Sequence, residues 1–315
     1  MVTCIESGGI KVAEDARRAL PWMALGGIVV LGLLSISRLL AKVEPTIQCG
    51  NYMNRRDLDL MQSLKAKIVG GGDLQKYPQF EWVTDDSLIR EAHRRGMLVY
   101  LYVDLTEAYD DEVLGYTTGH DYRLFPDSVF RNAYGNIERT RRNENITMNP
   151  HPDYSWFKHI FGWSTSLVLR HNFDIIYLDR VDRRAYDYAH NMTMDYATEE
   201  AVKVFKKWAV EHGRLIWGNS PMVPSLARLF DGLVYEFYGE MEEKSWIDGM
   251  GIKDKVVNLI APYPRGLKET IWAIDRSVEL EKLGYRTFPG LNLDQMKRYN
   301  FYDEVKKHIE EVYNG

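Results

Sequence analysis

From Thr46 onward, short apolar runs alternate with stretches of helical periodicity. The runs are TIQCGNY (46–52), AKIVGGG (66–72), MLVYLYVDL (97–105), FDIIYLD (173–179), RLIWGNS (214–220), GLVYEFYG (232–239), KVVNLIAPYP (255–264) and YRTFPGLN (285–292). Each is short, apolar and β-rich, which marks a candidate strand. Between them, DDSLIREAHRRG opens on acids and closes on glycine, the polarity of a capped helix. TEEAVKVFKKWAVEHG places Val202, Phe205, Trp208 and Ala209 on one helical face, and KETIWAIDRSVELEKLG repeats the pattern. Eight strands separated by helices predict a (β/α)8 barrel over residues 44–315, about 270 residues, close to the usual size. A doubly wound open sheet is the rival, but the glycines at 70–72 lack the spacing of a dinucleotide-binding turn.

Two segments break the alternation. A tail (1–19) precedes Leu20–Ser37, a stretch without charge that reaches about 27 Å as a helix, enough to cross a hydrocarbon core. Trp22 lies at one end and Arg38 and Lys42 at the other, so residues 20–41 are expected to anchor the chain in a membrane in a single pass. The flanking basic residues are balanced, and the barrel is expected on the extracytoplasmic side, where the sequons at Asn145 and Asn191 could be used. Residues 106–151 form the second break, an irregular connection after the third strand. It leaves the face where barrels keep their active sites and is expected to form a wall or lid there.

Composition excludes more than it assigns. A net charge of -5 argues against nucleic acid as a partner. The eight histidines show no metal-ligand spacing, Ser220 lacks a nucleophile elbow, and neither a metal nor a cofactor is expected. The basic cluster Arg139, Arg141 and Arg142 suits either an acidic ligand or a solvated surface.

The chemistry lies at strand ends. Side chains alternate along a strand, so Ile175, Tyr177 and Asp179 share one face. If that face is inward, the run presents Asp179 at the barrel rim. Asp182 suits either substrate contact or a helix cap. Glu236 sits among Val234, Tyr235, Phe237 and Tyr238, an apolar setting of the kind that keeps a general acid protonated. Two carboxylates on strands four and six suit glycosidic bond cleavage, one at the anomeric carbon and one protonating the leaving oxygen. Asp104 is a third acid at a strand end, and Asn219 a candidate donor to a sugar hydroxyl. Tyr52, Trp217, Tyr238 and Tyr263 are candidate stacking platforms for a carbohydrate.

The order of these segments resembles the TIM-barrel glycoside hydrolases related to endo-α-1,4-polygalactosaminidase, from about Thr46 to the C-terminus. LIREAHRRGMLVYLYVDL and MNPHPDYSWFKHI are similar to the family's segments around strand three and before strand four, and NFDIIYLDRVD and DGLVYEFYGE to its two acid-bearing strands. The resemblance implies a glycosidase with Asp179 as nucleophile and Glu236 as acid, and residues 20–41 add the expected membrane anchor. The 106–151 connection, with RTRRNEN, departs from the family pattern. A catalytically silent barrel that binds glycans or serves as a surface structure is the alternative. A few arginines beside Asp179 (Arg180, Arg183 and Arg184) give that alternative its weight.

Overall fold

A computed structural model describes residues 47–314 apart from 141–142, 183, 237–242 and 261–265. Eight parallel strands close into one barrel: β1 (Ile47–Gly50), β2 (Ala66–Gly70), β3 (Leu98–Asp104), β4 (Ile175–Asp179), β5 (Leu215–Asn219), β6 (Gly232–Glu236), β7 (Val256–Ile260) and β8 (Thr287–Asn292). Neighbours in sequence pair with each other, and Gln48 against Gly290 joins β1 to β8. Each of the eight apolar runs contains one of these strands, trimmed by a few residues at its ends.

Two buried layers explain why the strands read as continuous apolar runs. Inside the barrel, Ile68, Tyr100, Tyr177, Trp217, Val234 and Phe288 pack together with Ile175, Leu215 and Val256. The alternate positions, such as Val69, Leu101, Ile176, Leu178 and Ile216, pack outward against the helices. Both faces of a strand therefore leave water, and each fully buried aliphatic side chain contributes on the order of 1.5–3 kcal/mol. Helices α1 (Arg55–Ser63), α2 (Asp86–Arg94), α3 (Ser155–His171), α4 (Met194–Glu211), α5 (Pro224–Ala227), α6 (Glu243–Met250), α7 (Leu267–Lys282), α8 (Leu293–Arg298) and α9 (Tyr302–Asn314) supply the outer layer. In α2 the Asp85 carboxylate accepts from the Ser87 and Leu88 amides, and Leu88, Ile89 and Ala92 are buried. That cap stabilises the start of the helix by about 1 kcal/mol.

The connection after β3 is built rather than irregular, which corrects the sequence reading. Glu107–Tyr109, Arg139–Thr140 and Asn145–Thr147 pair as a small antiparallel sheet. Asn145–Thr147 is the middle strand, and Glu107, fully buried on one edge strand, accepts from Asn145 Nδ2 at 2.6 Å and Thr140 Oγ1 at 3.0 Å and lies 3.6 Å from Arg180 Nε. The strands are two or three residues long and come from distant parts of the segment, so no local period announces them. Arg139 pairs with Asp110 at 2.7 Å, and Arg141 and Arg142 lie outside the described residues. Of the two sequons, Asn145 is buried in this sheet and Asn191 is exposed in a hairpin. Asp182 does not open a helix either: α4 begins at Met194, where Thr193 accepts from the Tyr196 amide.

The expected anchor, residues 20–41, lies outside the described residues. Among the described residues no helix is long and apolar enough to cross a membrane.

Candidate active site

The C-terminal ends of β1, β4 and β5 share an unusual backbone feature. The residue following each strand, Asn51, Arg180 or Ser220, has a positive φ of 65°, 59° or 52°. Asparagine adopts this left-handed conformation readily, whereas arginine and serine do so at a cost. Residues held this way cluster at functional sites. Here Gly50 and Asn51 at the end of β1 and the last side chains of β4 and β5, Asp179 and Asn219, line one opening.

Asp179 is the centre of that opening. Its Oδ1 accepts from Asn219 Nδ2 at 2.6 Å and from the Arg180 amide at 2.8 Å, and its Oδ2 accepts from the Tyr102 hydroxyl. Three donors from β3, β5 and the turn after β4 fix the carboxylate in one rotamer, as a nucleophile or an electrostatic stabiliser requires. Tyr102 packs edge-on against Tyr177, with ring centroids 5.6 Å apart. The Arg180 side chain turns toward Glu107, and Arg184 donates to the Met222 carbonyl at 2.9 Å. Arg183 lies outside the described residues.

A cavity of 540 Å³ opens in front of Asp179 and extends toward the ends of β1, β2 and β8. Its wall is a stack of three aromatic rings on the β2–α2 loop. Tyr77 lies on Phe80 (4.9 Å, 23°) and Phe80 on Trp82 (4.5 Å, 25°), with the indole fixed by a 2.9 Å bond from Trp82 Nε1 to the Gly71 carbonyl. The glycines at 70–72 make this wall possible. A Cβ on Gly70 would come within 2.2 Å of the Tyr100 ring, and Gly72 has a φ of +109°. The charged residues lining the cavity, among those described, are Asp73, Asp179 and Asp294; no lysine, arginine or histidine joins them. Gln295 also lines it, with a buried Oε1 that has no hydrogen-bond partner among the described residues.

The remaining sequence candidates divide as follows. Asn219 joins Asp179 in the cavity. Asp104 pairs in register with Asp179 but is fully buried, its backbone held by Gln75 (2.9 Å to the Asp104 amide), and it does not line the cavity. Tyr52 and Trp217 are corrected from stacking platforms to core residues. Tyr52 is buried in the layer between strands and helices, where burial pushes its hydroxyl pKa up. Trp217 fills the barrel interior against Phe288 and the space left by Gly232. Asp182 is exposed in the turn after β4, away from the cavity lining. Glu236 ends β6, in register with Ile260; its side chain, like Tyr238 and Tyr263, lies outside the described part of the structure. Among the described residues the 106–151 segment contributes none to the lining of this cavity, contrary to expectation; its described contacts are with the turn after β4 and the start of α3. The wall comes from Tyr77, Phe80 and Trp82, which the sequence reading passed over, although an acid and three aromatics follow its glycine run.

Among the described residues no cluster of histidine, cysteine and carboxylate side chains suits a metal.

No protein-family model and no curated protein matches the chain. Solved structures do match. The glycoside hydrolase domain of PelA from Pseudomonas aeruginosa superposes with a TM-score of 0.54 at 13% identity, covering 78% of this chain and 94% of that one. A Group IV chitinase from Ostrinia furnacalis gives 0.53 at 10% identity, covering 86% and 100%. A GH31 family sulfoquinovosidase from E. rectale gives 0.55 at 13% identity, covering 85% of this chain and 46% of that one, so the chain spans about half of that enzyme. At these identities the likeness is one of fold. The chain has the TIM-barrel architecture seen in these glycoside hydrolases.

Proposed function

We propose that the chain is a glycoside hydrolase that cleaves a polymer of amino sugars, with Asp179 as nucleophile and Glu236 as acid and base. The observation that carries the reading is Asp179 itself, a carboxylate fixed by three donors at the edge of an aromatic-walled cavity. In the first step the Asp179 carboxylate bonds to the anomeric carbon while the glycosidic oxygen leaves with the Glu236 proton. In the second, water gives its proton to Glu236 and displaces Asp179 from the same carbon. Tyr77, Phe80 and Trp82 offer flat faces to pyranose rings.

The choice of an amino sugar follows from charge. A cavity whose described charged groups are all carboxylates favours a cationic ligand and opposes uronic acids and sulfated sugars. That fits the resemblance to polygalactosaminidases. The open cavity in front of Asp179 favours an enzyme over a silent glycan-binding barrel.

Residues 20–41 serve in this account as a membrane anchor with the barrel on the extracytoplasmic side. The few residues between Ala41 and Ile47 reach at most about 22 Å, and β1 begins at the face opposite the cavity. The cavity then points away from the bilayer, toward a long or surface-bound polymer. Protease added to intact cells is expected to reach the 106–151 segment; cleavage only after permeabilisation contradicts this topology.

The full-length protein assayed for reducing-end release tests the function. De-N-acetylated galactosamine or glucosamine polymers are expected to be cut, and Asp179→Asn to lose roughly 10²–10⁴-fold in rate. Cleavage confined to N-acetylated or neutral polymers overturns the amino-sugar assignment, and an undiminished Asp179→Asn overturns the site.

A further inference from the structure

On the face that carries the cavity, a second group of rings lies on the far side of Asp179, at the start of α3, at the start of α4 and in the hairpin Tyr186–Thr193 between β4 and α4. In a barrel both helix starts stand at the C-terminal ends of the strands. The rings form two linked sets. Tyr186 and Tyr188 meet edge to face at 4.9 Å. Tyr196 stacks on His151 (5.7 Å, 28°), His151 lies 5.8 Å from Tyr154, and Tyr154 lies 4.4 Å from His190 in the same hairpin.

These rings are exposed and rigidly mounted. Tyr186, Tyr188 and Tyr196 are 39%, 58% and 52% exposed. Beneath them Asp187 is fully buried and accepts from Asn149 Nδ2 at 2.9 Å and from His190 Nδ1 at 2.5 Å, while His190 Nε2 donates to the Asp127 carbonyl at 2.8 Å. The Tyr188 amide donates to the Arg131 carbonyl at 3.0 Å, which ties the hairpin to the inserted segment. A surface held by buried polar bonds needs no ordering when a ligand arrives.

We propose that this tyrosine ledge is a second binding site, for the part of a polysaccharide chain that extends beyond the cavity. Two observations choose the occupant. The ledge shares the face of the candidate active site: Tyr186 follows Asp179 by seven positions, in the connection that leaves the C-terminal end of β4. Its chemistry is that of rings with polar edges. Between residues 134 and 199 the described large apolar side chains that are exposed are Tyr134, Tyr186, Tyr188 and Tyr196, with Leu169 near the C-terminal end of α3. A surface built to bury an aliphatic or lipid partner would present leucine, isoleucine or phenylalanine. Tyrosine stacks on a sugar face and keeps its hydroxyl wet. The ligand class rests on the glycosidase reading; the existence of the ledge does not.

Binding to the full-length Asp179→Asn protein tests the proposal, with chitosan polymer and chitosan trimer as probes, by calorimetry and affinity electrophoresis. The polymer is expected to bind more tightly than the trimer. Tyr186→Ala/Tyr188→Ala is expected to weaken polymer binding at least about tenfold and leave trimer binding unchanged. Tyr186→Phe/Tyr188→Phe, which keeps the rings, should retain polymer binding. If the trimer binds but the alanine variant holds polymer as well as its parent, the ledge is no subsite while the cavity reading survives. If trimer and polymer binding fall together, the rings serve the fold and the proposal is overturned. If neither probe binds the parent, both readings fail. A concentration-dependent dimer abolished by the alanine variant would reassign the ledge to self-association and overturn the proposal.

Discussion

Asn219 Nδ2 stands 2.6 Å from Asp179 Oδ1, a contact between the last residues of two adjacent barrel strands. It holds one carboxylate oxygen while the Tyr102 hydroxyl holds the other. Asn219→Ala is expected to lower kcat by roughly 10–100-fold, the worth of a hydrogen bond to a charged group, with little change in thermal stability. Steady-state kinetics beside a melting curve checks this. An unchanged kcat would mean that the Arg180 amide and Tyr102 suffice to orient Asp179.

Gly70→Ala puts a methyl group within 2.2 Å of the Tyr100 ring in the barrel interior. Overpacking of this kind costs about 1–3 kcal/mol, and Tyr100 lines the cavity, so the shift also reaches the site. Urea denaturation is expected to show the loss, and Gly70→Ala/Tyr100→Phe should not restore it, since the clash is with ring carbons rather than the hydroxyl.

The inserted segment carries its own sensitivity to acid. Burial, with a smaller contribution from His159 at 3.0 Å, holds His120 down to about 3. A histidine depressed in the fold must stay neutral there while the unfolded chain takes up a proton below about 6.5, so stability falls as pH drops from 6.5 toward 3. Between pH 7 and pH 5 this one group accounts for a loss of about 2 kcal/mol. His190 acts in the opposite sense: burial lowers its pKa, but the hydrogen bonds to Asp187 and to the Asp127 carbonyl, with the charges of both carboxylates, together raise it. Denaturation at the two pH values is expected to show a smaller acid loss in His120→Gln than in the parent. An equal loss in both would mean that His120 is protonated in the fold.

The barrel was legible because its strands are buried twice. Ile176 and Leu178 face the helices while Ile175 and Tyr177 face the interior, so the run is apolar throughout and stands out from the amphipathic helices. Asp179 and Asn219 were legible for the same reason, as polar residues that end such runs. The stacking residues were not. Tyr52 and Trp217 sit in strand-like context, but which face of a strand a residue takes depends on the register around the whole barrel, and both fall in cores. Tyr77, Phe80 and Trp82 lie on a loop, where no periodicity distinguishes a cavity wall from a surface. The small sheet around Glu107 escaped because Glu107 and Asn145 meet across 38 residues of chain.

The paired roles of Asp179 and Glu236 are tested most directly by Glu236→Gln with a dinitrophenyl amino-sugar glycoside, whose leaving group needs no proton. The variant still forms the bond to Asp179 but lacks the base that activates water for the second step. The account predicts a rapid burst of about one equivalent of dinitrophenol per protein followed by slow turnover, and a protein heavier by one sugar residue on the peptide that contains Asp179. Steady release at the parent's rate without a burst, or a label on any other residue, would contradict it.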